Sequence, residues 1–344
     1  MRIALIAPPF IEVPPRQYGG TELFVGHLAE GLKKAGADVV LYANGESTAP
    51  VDVRWIYKQS EWPIKVPEHA WLRATNHISW AIADARRECD VIHVQARPAL
   101  SFSRFVDRPF VLTLHDSRSP EWSAYYAHFP QVYYVSISDA QREHEVMPRL
   151  RTIHHGIDLE QYKLVENKQQ YLSFIGRIAP IKGTHTAIDV AQRSGIPLKI
   201  AGEVQPEFRD YFERKIKPRL DGKLVEYIGP ANLAIKNELL GNSMAMLFPI
   251  QWNEPFGLVM VEAMACGTPV LASPGGSVPE VVQNGVSGFI CRSVREMVAR
   301  LSNLALEPKR IRSYVAENFS TEKMVSKYLA LYQEAARSSQ KRIA

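Results

Sequence analysis

The 344-residue chain is poor in cysteine, and Cys89, Cys266 and Cys291 stand too far apart for a metal-holding pair or a disulfide framework. A reducing cytosol is the natural setting for such a chain. Long apolar runs are missing too, since nothing approaches the roughly 18 residues a membrane-crossing helix needs. The apolar opening from Arg2 to Phe10 breaks at Pro8-Pro9, too short for a signal core with a cleavage site, so a buried first strand explains it better. No dense Lys/Arg stripe occurs. The net charge of +5 is spread out, which argues against nucleic acid and suits an anionic small molecule or an anionic membrane surface. The chain has no G-x-G-x-x-G fingerprint of a dinucleotide binder, no Asp-x-Asp, and no His/Cys/Asp/Glu cluster with convincing ligand spacing.

What is present is a repeated alternation of strand and helix. Ile3 to Ala7 leads through a Pro- and Gly-rich loop to Gly19-Gly20-Thr21, then to a helix with Leu23, Val25, Leu28, Ala29 and Leu32 on its apolar stripe. Val39–Tyr42, Asp90–Val94, Phe110–Leu114 and Val132–Ser136 read as further buried strands. The pattern restarts at Tyr171–Ile175, with a helix over Thr184–Arg193. Strands follow at Leu198–Ala201, Val225–Ile228, Met244–Pro249 and Pro269–Ala272. This is α/β architecture with two parallel sheets, and the length exceeds what one hydrophobic core supports. The join falls near Ile157 to Gln170, with the polar stretch Glu166–Gln170 as linker candidate. In open parallel sheets, ligands bind beyond the carboxyl ends of the strands.

Four groups of residues sit at such ends. Glu254 and Glu262 lie eight residues apart around Phe256-Gly257-Leu258, a turn entering a helix whose free N–H groups suit an anion or a sugar hydroxyl. Glu262 suits a vicinal diol such as a ribose. Spacing alone fits equally well a helix with one capping and one surface Glu. Arg177 directly follows a strand and Lys182 precedes a helix, a fitting clamp for a diphosphate and for the charge growing on a departing nucleotide. Taken alone, the two read more simply as solvated cations. Gly19, Gly20 and Thr21 open the first helix, where a backbone comes close to a ligand. His115 ends the strand Val111–Leu114 and points into a cleft more readily than a histidine inside a strand, although a structural or capping histidine is the other reading. His154-His155 ends another strand, and adjacent residues on an extended chain diverge, so a shared metal is not expected.

In this order the pieces resemble the GT-B superfamily, specifically the retaining family 4 glycosyltransferases, over nearly the whole chain. The most specific piece is the E-x7-E element at Glu254 and Glu262, with Pro-Phe-Gly-Leu between. Glu262–Val270 and Gly275–Glu280 fit the same pattern. The resemblance implies two Rossmann-like domains with parallel sheets facing across a cleft. Residues 1–160 would form the acceptor domain and 161–317 the donor domain, with a final helix of about 318–337 packing back on the first. It implies transfer of a hexose-type sugar from a nucleotide diphosphate sugar to the hydroxyl of a glycan, lipid-linked glycan or metabolite, with retained configuration and no metal or other cofactor. Arg177 and Lys182 would bind the diphosphate, Glu262 the ribose, and Glu254 the transferred sugar. The amides of Phe256, Gly257 and Leu258 would reach the sugar or phosphate, and Gly20 the phosphate. His115 would contact the donor sugar, and Ile228 would read the base through its main chain. Family frequency points first to a UDP-sugar and then to GDP-mannose.

Two departures stand out. His155 replaces the usual Asn of an Asn-Gly-Val-Asp segment, and Gln95-Ala96-Arg97 follows Val94 where another histidine is usual. Both bear on the acceptor side. A nucleotide-sugar 2-epimerase and a non-catalytic nucleotide binder share the architecture as alternatives, and a sugar phosphorylase would need a much longer chain. The stretch from Glu61 to Arg87 carries Trp62, Trp71 and Trp80 among Lys58, Lys65, Arg73, Arg86 and Arg87. It reads as a core helix through Trp71, Ala74, Ile78, Ala81 and Ala85, or else as a sugar platform or contact with an anionic lipid surface. The expected setting is cytoplasmic, with peripheral attachment at the inner membrane face left open. The basic tail from Arg337 to Arg342 reads as a disordered end.

Overall fold

The computed structural model describes every residue except Tyr18, Lys65 and Ala344, so the expectation for Lys65 lies outside the described residues. The chain divides into two compact units. One comprises Met1–Gly156 together with the chain from Thr321 onward, and the other comprises Ile157–Ser320.

In the first unit β1 (Arg2–Ile6), α1 (Gly20–Lys34), β2 (Asp38–Tyr42), β3 (Asp52–Arg54), α2 (Pro67–Glu88) and β4 (Val91–Val94) are followed by β5 (Phe110–Thr113), α3 (Pro120–Tyr126), β6 (Tyr133–Ser136), α4 (Asp139–Arg142) and β7 (Leu150–Thr152). The seven strands form one sheet in the order β3-β2-β1-β4-β5-β6-β7. All its pairs are parallel. Alternation along β1 shows why its run is apolar throughout. Ile3 and Leu5 join one core with Phe24, Val25 and Leu28 of α1, while Ala4 and Ile6 join the other with Ile78, Ala81 and Ile82 of α2. Both faces of the sheet are covered, so apolar residues dominate both, with His93 and Thr113 among the buried polar exceptions.

In the second unit β8 (Gln169–Ile175), α5 (Thr184–Ser194), β9 (Leu198–Ala201), α6 (Arg209–Tyr211), β10 (Val225–Gly229), α7 (Leu233–Asn242) and β11 (Ser243–Phe248) lead to α8 (Leu258–Ala265), β12 (Val270–Ala272), α9 (Val278–Val281), β13 (Gly288–Ile290), α10 (Val294–Leu301) and α11 (Pro308–Phe319). Its sheet runs β10-β9-β8-β11-β12-β13, again parallel throughout. Where the chain enters and leaves this unit the two segments lie side by side, with the Ile157 amide donating to the Phe319 carbonyl at 2.9 Å. The last helix, α12 (Thr321–Ile343), packs in the first unit, with Val325, Tyr328, Leu331 and Tyr332 buried among the α1 and β-strand side chains.

Three expectations need correction. The tail expected to be disordered continues α12 as far as Ile343, because nothing in Arg337–Arg342 breaks a helix. Glu166–Gln170 is no linker: Gln169 and Gln170 open β8, and Lys168 Nζ donates to the carbonyls of Gly241 and Cys266 and to Thr268. The core reading of α2 holds for Ile78, Ala81 and Ala85 but fails at Trp71, which is 61% exposed. Among the described residues no helix is long and apolar enough to cross a membrane.

Candidate functional site

The loops after β8, β11 and β12 assemble the first cluster in the second unit. After β8 the chain passes Gly176 and Arg177 and makes a short turn through Pro180–Lys182 before α5. Gly183 caps that turn with φ of 73°, and a Cβ on it would meet the Pro249 carbonyl oxygen at 1.9 Å. Glycine is therefore required on both conformational and steric grounds. The close approach joins the turn to the segment after β11, where the Gln251 amide donates to the Ile181 carbonyl at 2.8 Å.

That junction brings Lys182 to Glu254. Its Nζ lies 2.6 Å from Glu254 Oε2, with side-chain exposures of 16% and 9%. Trp252 Nε1 donates to the same oxygen at 2.9 Å, and the ammonium sits 4.7 Å from the centre of the Trp252 ring. Both donors use Oε2, which leaves Oε1 as an acceptor. A buried carboxylate needs such partners, because an uncompensated buried charge is costly. Arg177 donates to Gln205 Oε1 at 3.3 Å, beside the Phe208 ring.

The backbone of Glu254 is gripped from behind. Its carbonyl accepts from the Ser277 amide at 2.9 Å, and a Cβ on Gly276 would meet that carbonyl oxygen at 2.2 Å. Ser277 Oγ donates to the Phe256 carbonyl at 2.9 Å. The Phe256 ring is buried against Phe319, and Gly257 caps α8, with Leu258 as the first residue of that helix. The sequence singled out Gly275-Gly276-Ser277 without showing what it does; it fixes the loop that carries Glu254.

Glu262 lies on α8 and is 1% exposed. It is therefore neither a surface residue nor a cap. Lys236 Nζ donates to Oε1 at 2.8 Å and Oε2 at 3.0 Å, and Tyr162 Oη donates to Oε1 at 3.0 Å. Burial first, then the neighbouring Glu262, holds the Tyr162 hydroxyl well above its ordinary range, so it stays protonated and donates. Ile228 lies at the end of the edge strand β10. There Tyr227 pairs with Ile200 and Gly229 with Ala201, so Ile228 is skipped in the register at an irregularity of the ladder.

The second cluster belongs to the first unit. Gly19 precedes α1 as its cap, Gly20 and Thr21 open the helix, and the side of Gly20 where a Cβ would stand is open space. Next to them Glu22 is buried, and burial pushes its carboxyl up to about 7. His115 lies just past β5. Its Nε2 is 2.9 Å from Gln95 Oε1, a contact in which the ring donates when Nε2 carries the proton. Burial first, then Arg97, pushes its pKa down to about 3, which keeps the ring neutral at pH 7. His155 stacks on it at 5.7 Å, and Phe24 meets it edge-on at 5.3 Å. Arg97 pairs with Asp116 and covers the Trp122 ring at 4.1 Å. The two departures noted in the sequence, at Gln95–Arg97 and at His155, thus converge on the same imidazole.

The structure brings Lys182 and Glu254 into contact, and groups His115 with Gln95, Arg97 and His155 of the two departures and with Phe24. Lys236, Tyr162, Trp252 and Gln205 were missed. Only Trp252, two residues before Glu254, left a trace in the sequence.

Residues 158–320 match the family described as glycosyl transferases group 1, and residues 18–161 match glycosyltransferase family 4. A glycogen synthase of Mycobacterium tuberculosis is 26% identical over 366 residues, covering 90% of this chain and 87% of its own. The sucrose-phosphate synthase of Thermosynechococcus elongatus superposes with a TM-score of 0.81 at 20% identity, over 98% of this chain and 99% of its own. Anabaena HepE, solved with UDP and glucose, gives 0.75 at 19% identity, over 97% and 100%.

Proposed function

Because the chain belongs to the family 4 glycosyltransferases and has the GT-B fold, we propose that it moves a hexose-type sugar from a nucleoside diphosphate to an acceptor hydroxyl with retained configuration. The second unit holds the donor and the first the acceptor. The observation that carries this reading is the Lys182–Glu254–Trp252 cluster, whose cation and free carboxylate oxygen suit a phosphate and a sugar hydroxyl.

In the proposed step the acceptor oxygen bonds to the anomeric carbon on the face the nucleotide leaves. The bond from that carbon to the phosphate oxygen breaks, and the acceptor proton passes to the departing phosphate. Arg177, Lys182 and the amides of Phe256, Gly257 and Leu258 neutralise the leaving charge without requiring a metal. Glu254 Oε1 accepts from the transferred sugar. Glu262 holds the ribose, Ile228 meets the base through its main chain, and Gly20 approaches the phosphate. His115 acts as a neutral hydrogen-bonding group toward the sugar.

A UDP-sugar is the first candidate donor, supported by the ligands of HepE, and GDP-mannose the second. The acceptor is a glycan, a lipid-linked glycan or a metabolite. The family match does not favour a 2-epimerase or an idle nucleotide binder. Calorimetric titration of the metal-free protein with UDP, GDP, ADP and TDP tests the reading. One micromolar binder among weak ones is expected; a folded sample that binds none of them refutes it.

A further inference from the structure

Glu262 has more partners than a simple ribose acceptor needs. A carboxylate offers about four lone-pair positions. Lys236 takes one on each oxygen and Tyr162 a second on Oε1, which leaves an acceptor position on Oε2. Lys236 uses two of its three N–H groups on Glu262, and the third has no acceptor among the described residues. Its side chain is 18% exposed while that of Glu262 is 1% exposed, so the ammonium forms the outer face of the pair. One free acceptor therefore lies directly beside one free donor.

Lys236 is held where this pairing has a use. Asn232 caps α7 by accepting from the Ile235 amide at 3.0 Å, which sets the first turn carrying Lys236. The helix follows β10, whose skipped residue Ile228 lies at the strand's carboxyl end. Tyr162, stapled to Oε1, stops the carboxylate from rotating away.

We propose that Lys236 is a second ribose-reading residue: one hydroxyl of the 2′,3′-diol donates to Glu262 Oε2 while its neighbour accepts from Lys236 Nζ. A carboxylate alone can only accept from both hydroxyls. A carboxylate with an ammonium beside it matches a diol in which each hydroxyl plays a different part, and so discriminates against a sugar lacking either one. The inference rests on the reading that Glu262 faces the donor ribose.

The test is calorimetry on the full-length protein with the best binder among UDP, GDP and ADP, and with the 2′-deoxy and 3′-deoxy forms of the same nucleotide. The wild type is expected to bind each deoxy form about tenfold more weakly, since a buried charged partner is left unpaired. Lys236→Met is expected to bind the ribonucleotide about as weakly as the wild type binds the deoxy forms, with most of the discrimination gone. A general charge effect would instead weaken ribo and deoxy ligands alike, and that result overturns the proposal. Equal wild-type affinity for ribo and deoxy forms also overturns it, and needs no variant to fold. If the wild type binds no nucleotide at all, the donor reading itself fails, a result distinct from nucleotide binding without discrimination.

Discussion

The strand ends of the two units carry opposite chemistry. In the second unit they present ion pairs, Lys182 with Glu254 and Lys236 with Glu262, each burying a carboxylate under an ammonium. In the first, beside the partly exposed Arg97–Asp116 pair, the buried groups at and just behind those ends are neutral imidazoles, because burial pushes His93 within β4 and His115 past β5 down to about 3 and His155 well below its ordinary 6.5. His93 is tied into an uncharged chain, with Nδ1 at 2.7 Å from Tyr332 Oη and Nε2 at 2.8 Å from Thr113 Oγ1, which in turn meets Tyr328 Oη at 2.9 Å. A diphosphate needs cations. A hydroxyl acceptor needs polarity without charge. The contrast is what a donor half and an acceptor half would each require.

The most severe way to break this comparison is His115→Ala. Turnover should fall about a hundredfold, in line with loss of one positioned catalytic group, while nucleotide affinity stays unchanged. Normal turnover would remove His115 from catalysis. Lys182→Ala should weaken nucleoside diphosphate binding about tenfold or more, and lower stability by about 1–3 kcal/mol by leaving Glu254 with Trp252 alone. Calorimetry and a denaturant titration measure the two effects, and unchanged affinity would take Lys182 out of the site.

Gln95→Glu sharpens the contrast by placing a carboxylate where His115 Nε2 now meets an amide oxygen. The imidazole pKa should rise, and the rate should acquire a fall on the acid side between about pH 5 and 7 that the wild type lacks. Superimposable pH profiles would count against the neutral-ring argument.

The smallest effect concerns acid stability. Histidines whose folded pKa is depressed favour the fold above their unfolded value of 6.5, and that contribution is lost as pH falls toward the folded values of about 3 for His93 and about 4 for His77. At pH 5 the loss is about 1–2 kcal/mol for each fully buried ring. Amide protection factors, which correct for the intrinsic pH dependence of exchange, should then fall more in β4 and β5 than in β8 and β11 between pH 7 and pH 5. An equal fall would show that the histidines do not set the difference.

The central strands were legible because both faces of each parallel sheet are covered, which forces uninterrupted apolar runs such as Ile3–Ile6. The short strands Asp52–Arg54, Leu150–Thr152 and Gly288–Ile290 were not, since a three-residue edge strand carries too few side chains to form a pattern. Periodicity in α2 marked a helix face but not what covers it, and so misplaced Trp71. In the site, residues on one loop, such as Glu254 and Phe256, could be read together. Lys236 could not, because its partner lies on another helix 26 residues away and the pairing exists only once α7 and α8 have docked.

The departure of the chain at Gly156 and its return at Thr321 also order the protein's assembly in time. The second unit is one uninterrupted stretch, so its sheet can close while the polypeptide is still emerging from the ribosome. The first unit has nearly all of its sequence earlier, yet Tyr328 and Tyr332, which cap Thr113 and His93, belong to a helix made only after the whole second unit. The half that is synthesised first is therefore completed last, and a nascent chain stalled before Thr321 would expose the α1 side of its first sheet.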